Sequence, residues 1–591
     1  MTADATLGSD MQPVSDNVRA DRFSLANTFA AVVNLPAAVW LALSGTGIAA
    51  IFLGAFASRY SLAKYGATPQ ATVASINNLS AEGAFLYVAG FALLFGAYWL
   101  GLRRGLHPSS RLVWLLIAAF SVIFNVILLA MYPVDAADIY DNIIRGRIAA
   151  IYGLNPMAVT PSHVSDDPFY LFAVWNTTTS AYGPLWEQMA AFSSRIAGDD
   201  PTANVIVFKA LSILGYAITT ILIWLSLKRI APRRAITGVY LFAWNPLVLF
   251  MTAGVGHNDS VMIAFMALSA YCLLRRWYVA STLAALLGAL VKFIPVLMIP
   301  IIAVIALREL RVSTRLRYLA LSAVIGGALV VALYAPYWHG LDTLALDRRA
   351  GMYTGSVATL ARQTLGYVFD GHTGESADTP NTNNVLKYVV LVLLAVFYLD
   401  RLRYVWQTPS RADKLLGVRA TMQVILFYLL VSCIWFQSWY ALWVVGLAAL
   451  LDNTPMQRFV LLFSYLVTWQ TFLYNFVTLR PEGWAAIPWR DLIPIATVMG
   501  VAWAYIVAYW VSTWLRAVLR SPFAVRLGER LHAAREALQL DSSDLADELG
   551  WRTDDLLDYE RGYQSPSVDR ARALSQRLGV DLSQVLSESL P

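Results

Sequence analysis

From Leu35 to Leu515 the chain repeats apolar runs close to the length of a membrane-spanning helix, and this recurrence limits its fold more than any other feature. Crossing the hydrocarbon core takes about 20 mostly apolar residues. Such runs, several of them shorter, lie near 36–57, 83–102, 111–132, 203–227, 236–253, 259–275, 278–291, 293–308, 317–337, 384–401, 416–436, 437–452, 458–477 and 493–515. Backbone polar groups inside a bilayer must be satisfied within the protein, which favours helices. The expectation is an all-α polytopic transmembrane helical bundle of about 12–14 crossings. Pro295 and the Gln437-Ser438 step mark places where helices are expected to break. Charged residues make up 14% of the chain, against roughly 25% in soluble domains. Residues 1–34 are polar and hold Asp4, Asp10, Asp16 and Asp21. They lack the basic start and apolar core of a signal peptide and read as a disordered cytoplasmic tail. Cys272 and Cys433 lie far apart in apolar runs, so neither a disulfide framework nor a thiolate metal site is expected.

Sidedness follows from the bias of Lys and Arg toward cytoplasmic loops. Arg103-Arg104 with Arg111, Lys228-Arg229 with Arg233-Arg234, Arg275-Arg276, Arg308 through Arg317, and Arg401 through Lys414 all fall on one side. That side is assigned to the cytoplasm, with both termini. Loops 133–202 and 338–383 are then outer loops, long enough to be functional.

The first outer loop begins Tyr132-Pro133-Val134-Asp135-Ala136-Ala137-Asp138-Ile139-Tyr140-Asp141 and continues through Arg145-Gly146-Arg147 to Gly153-Leu154-Asn155-Pro156. On a helix, Asp138 and Asp141 share a face and Arg145 follows Asp141 by one turn. A helix cap with an intrahelical ion pair accounts for such a cluster as well as a site does. Further pieces fall at the same membrane surface: Tyr182-Gly183-Pro184-Leu185-Trp186, Gly256-His257-Asn258-Asp259, and Trp435 through Tyr440 with Trp443. Boundary aromatics usually form an interfacial belt, and His257-Asn258-Asp259 reads alone as a capped turn. Lys292 is different, since an intramembrane lysine points to function by default.

In this order the pieces resemble the GT-C superfamily of integral membrane glycosyltransferases, closest to the polyprenyl-phosphate-sugar-dependent, mannosyltransferase-like branch. The likeness runs over roughly 35–516 and rests on Asp138-Ile139-Tyr140, Arg145-Gly146-Arg147, Gly153 through Pro156, Tyr182 through Trp186, Gly256 through Asp259, and Trp439-Tyr440. It implies a lipid-linked sugar donor, a glycan or glycolipid acceptor arriving from outside, and a catalytic aspartate in the first outer loop of a bacterial cell-membrane protein. Asp138 is the first choice for general base, Asp135 the second. Arg145, Arg147, His257, Lys292, Arg348 and Arg349 are the candidates for the leaving phosphate. Asp141, Tyr140, Tyr182, Asn258, Asp259, Trp439 and Tyr440 are the candidates for substrate contact. Asp141 stands where the commoner family form has a basic residue. No metal or other cofactor is expected; a divalent cation between the carboxylates is the disfavoured alternative.

After Arg516 the chain changes character. Residues 522–591 resemble a Cro/C1-type helix-turn-helix domain through Leu527-Gly528-Glu529-Arg530-Leu531, Leu545 through Gly550, Tyr559-Glu560-Arg561-Gly562 and Ser565-Pro566-Ser567. Such a domain reads DNA with its second helix, whose outward positions here are Asp554, Asp555 and Asp558. Residues 521–591 hold eight arginines, no lysine and thirteen acidic residues. That balance repels phosphate backbones, so DNA is an unlikely partner and a cytoplasmic protein partner is favoured. Two other classes compete with the enzyme reading: a transporter or flippase for a lipid-linked glycan, and a membrane-tethered transcription regulator. No internal repeat of the transporter kind is visible, and the acidic reading helix counts against the regulator.

Overall fold

The computed structural model describes residues 36–103, 106, 111–135, 137–344, 353–370, 380–408, 413–452, 454–478, 492–518, 520–551 and 553–580. The expected tail 1–34 and the pair Arg348-Arg349 lie outside them. Among the described residues the regular structure is helical, with no strand beyond two isolated bridges. Seven helices among the described residues have the length and apolarity to cross a membrane: Ala37–Ala57, Ala81–Leu102, Arg111–Leu129, Pro201–Ile230, Val312–Tyr334, Pro455–Phe476 and Ile493–Val518. The chain is thus a multi-pass membrane protein with a small helical unit at its C-terminal end.

Several runs read as separate spans from the sequence take a different form. Pro232–Ala243 and Pro246–Gly254 make one pair bent by 51°. The break falls at Trp244-Asn245, where the Asn245 side chain accepts from Leu247 N (3.0 Å) and Val248 N (3.3 Å) and Pro246 needs no donor partner. Runs 278–291 and 293–308 form a helical hairpin, Tyr278–Ala289 and Met298–Glu309, with Lys292 at its tip. The Tyr278 hydroxyl donates to Glu309, which puts both feet of the hairpin at one level. At 12 residues each, its helices rise about 18 Å, well short of a core about 30 Å thick. The tip is therefore recessed below one face of the bundle. Asp259–Leu274, 16 residues or about 24 Å, places Asp259 beside that tip and Arg275-Arg276 at the opposite end.

The helix Pro201–Ile230 shows how the sequence punctuates a span. The Asp200 side chain accepts from Ala203 N at 2.6 Å, Pro201 opens the helix, and Lys228-Arg229 occupy its last turn, where cations favour the dipole. Its buried face packs on Asp259–Leu274. Phe52, Phe56, Phe91, Phe124, Phe250 and Trp244 form an edge-to-face aromatic core beside it.

Among the described residues four helices end in a wider π-helical turn: Phe52–Ala57, Phe250–Gly254, Tyr428–Ser432 and Tyr474–Thr478. All four turns lie at the end of the bundle where Asp259 and Lys292 meet.

Candidate active site

Loop 133–202 folds into two helices, α1 (Asp138–Ala150) and α2 (Pro184–Ala197), pressed against each other. Gly146 permits the approach, because a Cβ there would stand 2.5 Å from the Ala190 carbonyl oxygen. The Trp186 indole donates to Asn142 Oδ1 at 2.9 Å and fixes the register. α1 has no side-chain cap but carries Asp138 and Asp141 in its first turn, where carboxylates suit the helix dipole. Gly183 joins this pair to the hairpin tip, its N–H donating to Val291 O at 3.0 Å. A Cβ at Gly183 would lie 2.1 Å from Leu290 O, so the junction accepts only glycine.

Between these elements lies a cavity enclosing about 900 Å³, partly open, lined by residues that include Asp138, Asp141, Arg145, Tyr182, Lys292, Trp439 and Tyr440. These seven come from four separated segments of the sequence reading. The Tyr182 hydroxyl donates to Asp138 Oδ2 at 3.4 Å. Lys292 Nζ donates to both oxygens of buried Asp259, at 2.8 and 3.0 Å, and the Trp443 indole donates to the same carboxylate. The ammonium also sits over three rings, 4.8 Å from Tyr440, 5.4 Å from Trp443 and 5.7 Å from Tyr182. Arg145 makes only long contacts, 3.4–3.5 Å, to Trp175 O and to Thr178. Its Nε has no partner among the described residues, which leaves donor capacity beside the cavity. No ion pair joins it to Asp141 there, contrary to the helical spacing. Asp141 instead accepts from the Trp175 backbone at 2.9 Å.

The other candidates fall outside the cavity wall. Arg147 is consumed by a buried pair with Asp167 (2.8 Å) and a second contact to Asp199 (2.8 Å). Tyr140 is buried against Phe172 at 5.1 Å. His257 stacks behind Trp439 at 4.2 Å. Burial pulls its imidazole below the usual range, so the ring is neutral at pH 7 and offers no charge to a phosphate. Asn258 is buried with both side-chain polar atoms unpartnered among the described residues. The Asp135 carboxylate is buried beside the Thr471 and Ser438 hydroxyls. Among the described residues no three His, Cys, Asp or Glu side chains converge as metal ligands do.

Some residues passed over in the sequence join the site. Trp435, read as an interfacial aromatic, and Trp175 of the first outer loop meet edge-on at 6.0 Å on the cavity wall, together with Thr178, Ser180 and Gln437. Ser180 donates to buried Glu187 behind the wall at 2.5 Å. Lys209, buried in the span Pro201–Ile230, donates to the Leu128 and Met131 carbonyls. It thereby caps the helix Arg111–Leu129 and holds the segment leading to Asp135 and Asp138. A lysine in an apolar run was its signal, the same one that singled out Lys292.

Burial pushes three carboxyls of this loop up: Asp135 to about 6, Asp141 to about 7 and Glu187 to about 7. In the unfolded chain an aspartate titrates near ~3.9. The folded state thus holds these protons more tightly, and stability falls as pH rises from the ordinary carboxylate range to about 7. Thermal unfolding should occur at a higher temperature at pH 5 than at pH 8, and Asp141→Asn should narrow that gap. An unchanged gap in the variant removes Asp141 as a source.

Residues 35–308 match the family model described as Alpha-(1->6)-mannopyranosyltransferase, N-terminal domain. Residues 531–585 match the one described as Helix-turn-helix. Alpha-(1->6)-mannopyranosyltransferase A of Mycobacterium tuberculosis is 25% identical over 404 residues, covering 65% of this chain and 73% of that protein. The Corynebacterium glutamicum protein of the same name is 28% identical over 160 residues, covering 25% of this chain and 30% of its own length. Alpha-(1->6)-mannopyranosyltransferase B of the latter organism is 26% identical over 172 residues, 27% of this chain and 28% of that one. No solved structure matches the chain.

Proposed function

We propose, from the similarity of residues 35–308 to the alpha-(1->6)-mannopyranosyltransferase model and of 404 residues to the Mycobacterium tuberculosis relative, that the chain transfers a mannosyl group from a polyprenyl-phosphate donor to a glycan or glycolipid hydroxyl on the outer face of a bacterial membrane. The observation that carries this reading is the cavity itself. Two carboxyl groups (Asp138 and Asp141), two cations (Arg145 and Lys292) and a wall of aromatic rings converge there, at the end of the helix Asp259–Leu274 opposite Arg275-Arg276. The bias of basic loops toward the cytoplasm assigns the cavity to the outside. The recessed hairpin tip suits a donor whose lipid stays in the bilayer while its head group enters sideways.

In the proposed reaction Asp138 takes the proton of the acceptor hydroxyl. The oxygen attacks the anomeric carbon from the side opposite the phosphate, and the carbon–oxygen bond to phosphate breaks. The electron pair leaves with the polyprenyl phosphate, whose charge Arg145 and Lys292 receive. This displacement inverts the anomeric centre, so an α product of the kind in the relatives' names requires a β-linked donor. Trp175, Trp435, Trp439 and Tyr440 line the cavity and supply the apolar surface the sugars would meet.

Purified protein in lipid nanodiscs, given a β-linked polyprenyl-phosphate mannose and a mannoside acceptor, is expected to release polyprenyl phosphate and lengthen the acceptor by one α-linked residue. Donor consumption without acceptor extension would overturn the assignment, as would movement of intact donor across the membrane.

A further inference from the structure

The C-terminal unit comprises Pro522–Ala537, Ser542–Leu549, Thr553–Glu560 and Val568–Leu578, closed over Leu527, Leu531, Leu545, Leu556 and Leu574. A buried Arg535–Glu560 pair at 2.6 Å ties its first helix to its third. Only three residues separate Val518, the end of the last span, from Pro522. A link that short reaches at most about 14 Å, so the unit stays at the membrane face where that span ends. That face carries the basic loops.

Its acidic helices turn toward those loops. Asp558, on the helix that would read DNA, accepts from Arg516 of the last span at 2.7 Å. Asp544, on the helix before it, pairs with Lys414 of the loop preceding Leu416–Phe427 at 2.8 Å. Glu548 of that same helix is held below its ordinary range first by Arg577 and also by Arg233. Asp555 is satisfied within the unit by Arg570 at 3.0 Å; the Asp554 side chain lies outside the described residues. Two acidic residues thus pair with cations of the membrane domain, one on the last span and one on a loop, and a third feels the charge of Arg233.

We infer that the acidic face of this tail is a docking surface whose partner is the basic end of the chain's own membrane domain, with Asp558 seated on Arg516 and Asp544 on Lys414. Exposed ion pairs are individually weak. The short link compensates, since it holds the two faces at an effective concentration of about millimolar or above. The docked tail stands at the rim of an open cavity of about 1080 Å³ that Lys414 lines together with Arg229, Arg276, Glu309 and Asp413. The surface such a domain offers to DNA is occupied in this state by the chain itself.

Both native cysteines are buried, so thiol reagents will read cysteines introduced at the surface. The full chain carrying Lys414→Cys and Asp544→Cys, treated with a short bis-maleimide, is expected to cross-link internally at low ionic strength. Adding Arg516→Glu should lower the yield severalfold, and adding Asp558→Arg to that variant should restore it. Raising the salt should lower the yield of the parent pair. Equal yields in all three backgrounds would overturn the docking, and so would binding of duplex DNA by the unmodified full chain at physiological salt.

Discussion

Asp138→Asn is expected to slow sugar transfer by about 10²–10⁴-fold, the usual contribution of a positioned general base, with little change in donor affinity. The amide keeps the size of the carboxylate and the hydrogen bond from Tyr182, but it cannot take the proton of the attacking hydroxyl. Loss in kcat with KM preserved is therefore the signature. Asp135→Asn should cost far less, because its carboxylate lies off the cavity wall. The reading has a clear failure: full turnover by Asp138→Asn together with loss in Asp141→Asn moves the base one turn along the helix. Single-turnover assays with labelled donor separate these outcomes.

Asp259→Asn is expected to destabilise the protein by about 3–5 kcal/mol, the range for removing one partner of a buried ion pair. Asp259 is fully buried and Lys292 retains 12% side-chain exposure, so the stranded ammonium would keep only its three rings and slight access to the cavity. Replacing both partners by apolar residues, Asp259→Leu with Lys292→Met, should recover much of the loss. Thermal unfolding of the three proteins in the same detergent measures this. If the double variant is no more stable than Asp259→Asn, the pair is not the source. The double variant should still fail in transfer, since Lys292 is assigned to the leaving phosphate.

The helical bundle was legible because apolar runs of near-spanning length leave few alternatives, whereas the break at Trp244-Asn245 inside run 236–253, read as one span, was missed although a capping asparagine and a proline mark it. The hairpin was harder to read. Runs 278–291 and 293–308 have the composition of spans, and only their length tells that they stop short. The cavity was legible where chemistry stood out against its surroundings, as at Asp138 and Lys292, while Asp259, expected to touch substrate, lies buried behind the wall on Lys292. It was not legible where partners come from afar. Nothing local in Arg145-Gly146-Arg147 tells which arginine is spent; Asp167, twenty residues on, decides that by pairing with Arg147. Trp435 looked like a belt residue because a boundary tryptophan has one appearance in sequence and several possible neighbours in space.

The four π-helical turns have a consequence for how the cavity is aimed. Each one fits an additional residue into a turn that α-geometry would close sooner, and an α-helical residue corresponds to about 100° of rotation. Whatever follows such a turn, His257 after Phe250–Gly254 or Trp435 after Tyr428–Ser432, therefore owes its compass bearing to that one surplus residue. Deleting a residue from either turn would leave the helix below it wound as before, while swinging the aromatic and polar groups above it away from the sugar's path. The membrane-crossing frame and the orientation of its business end are thus set by different parts of the same helices.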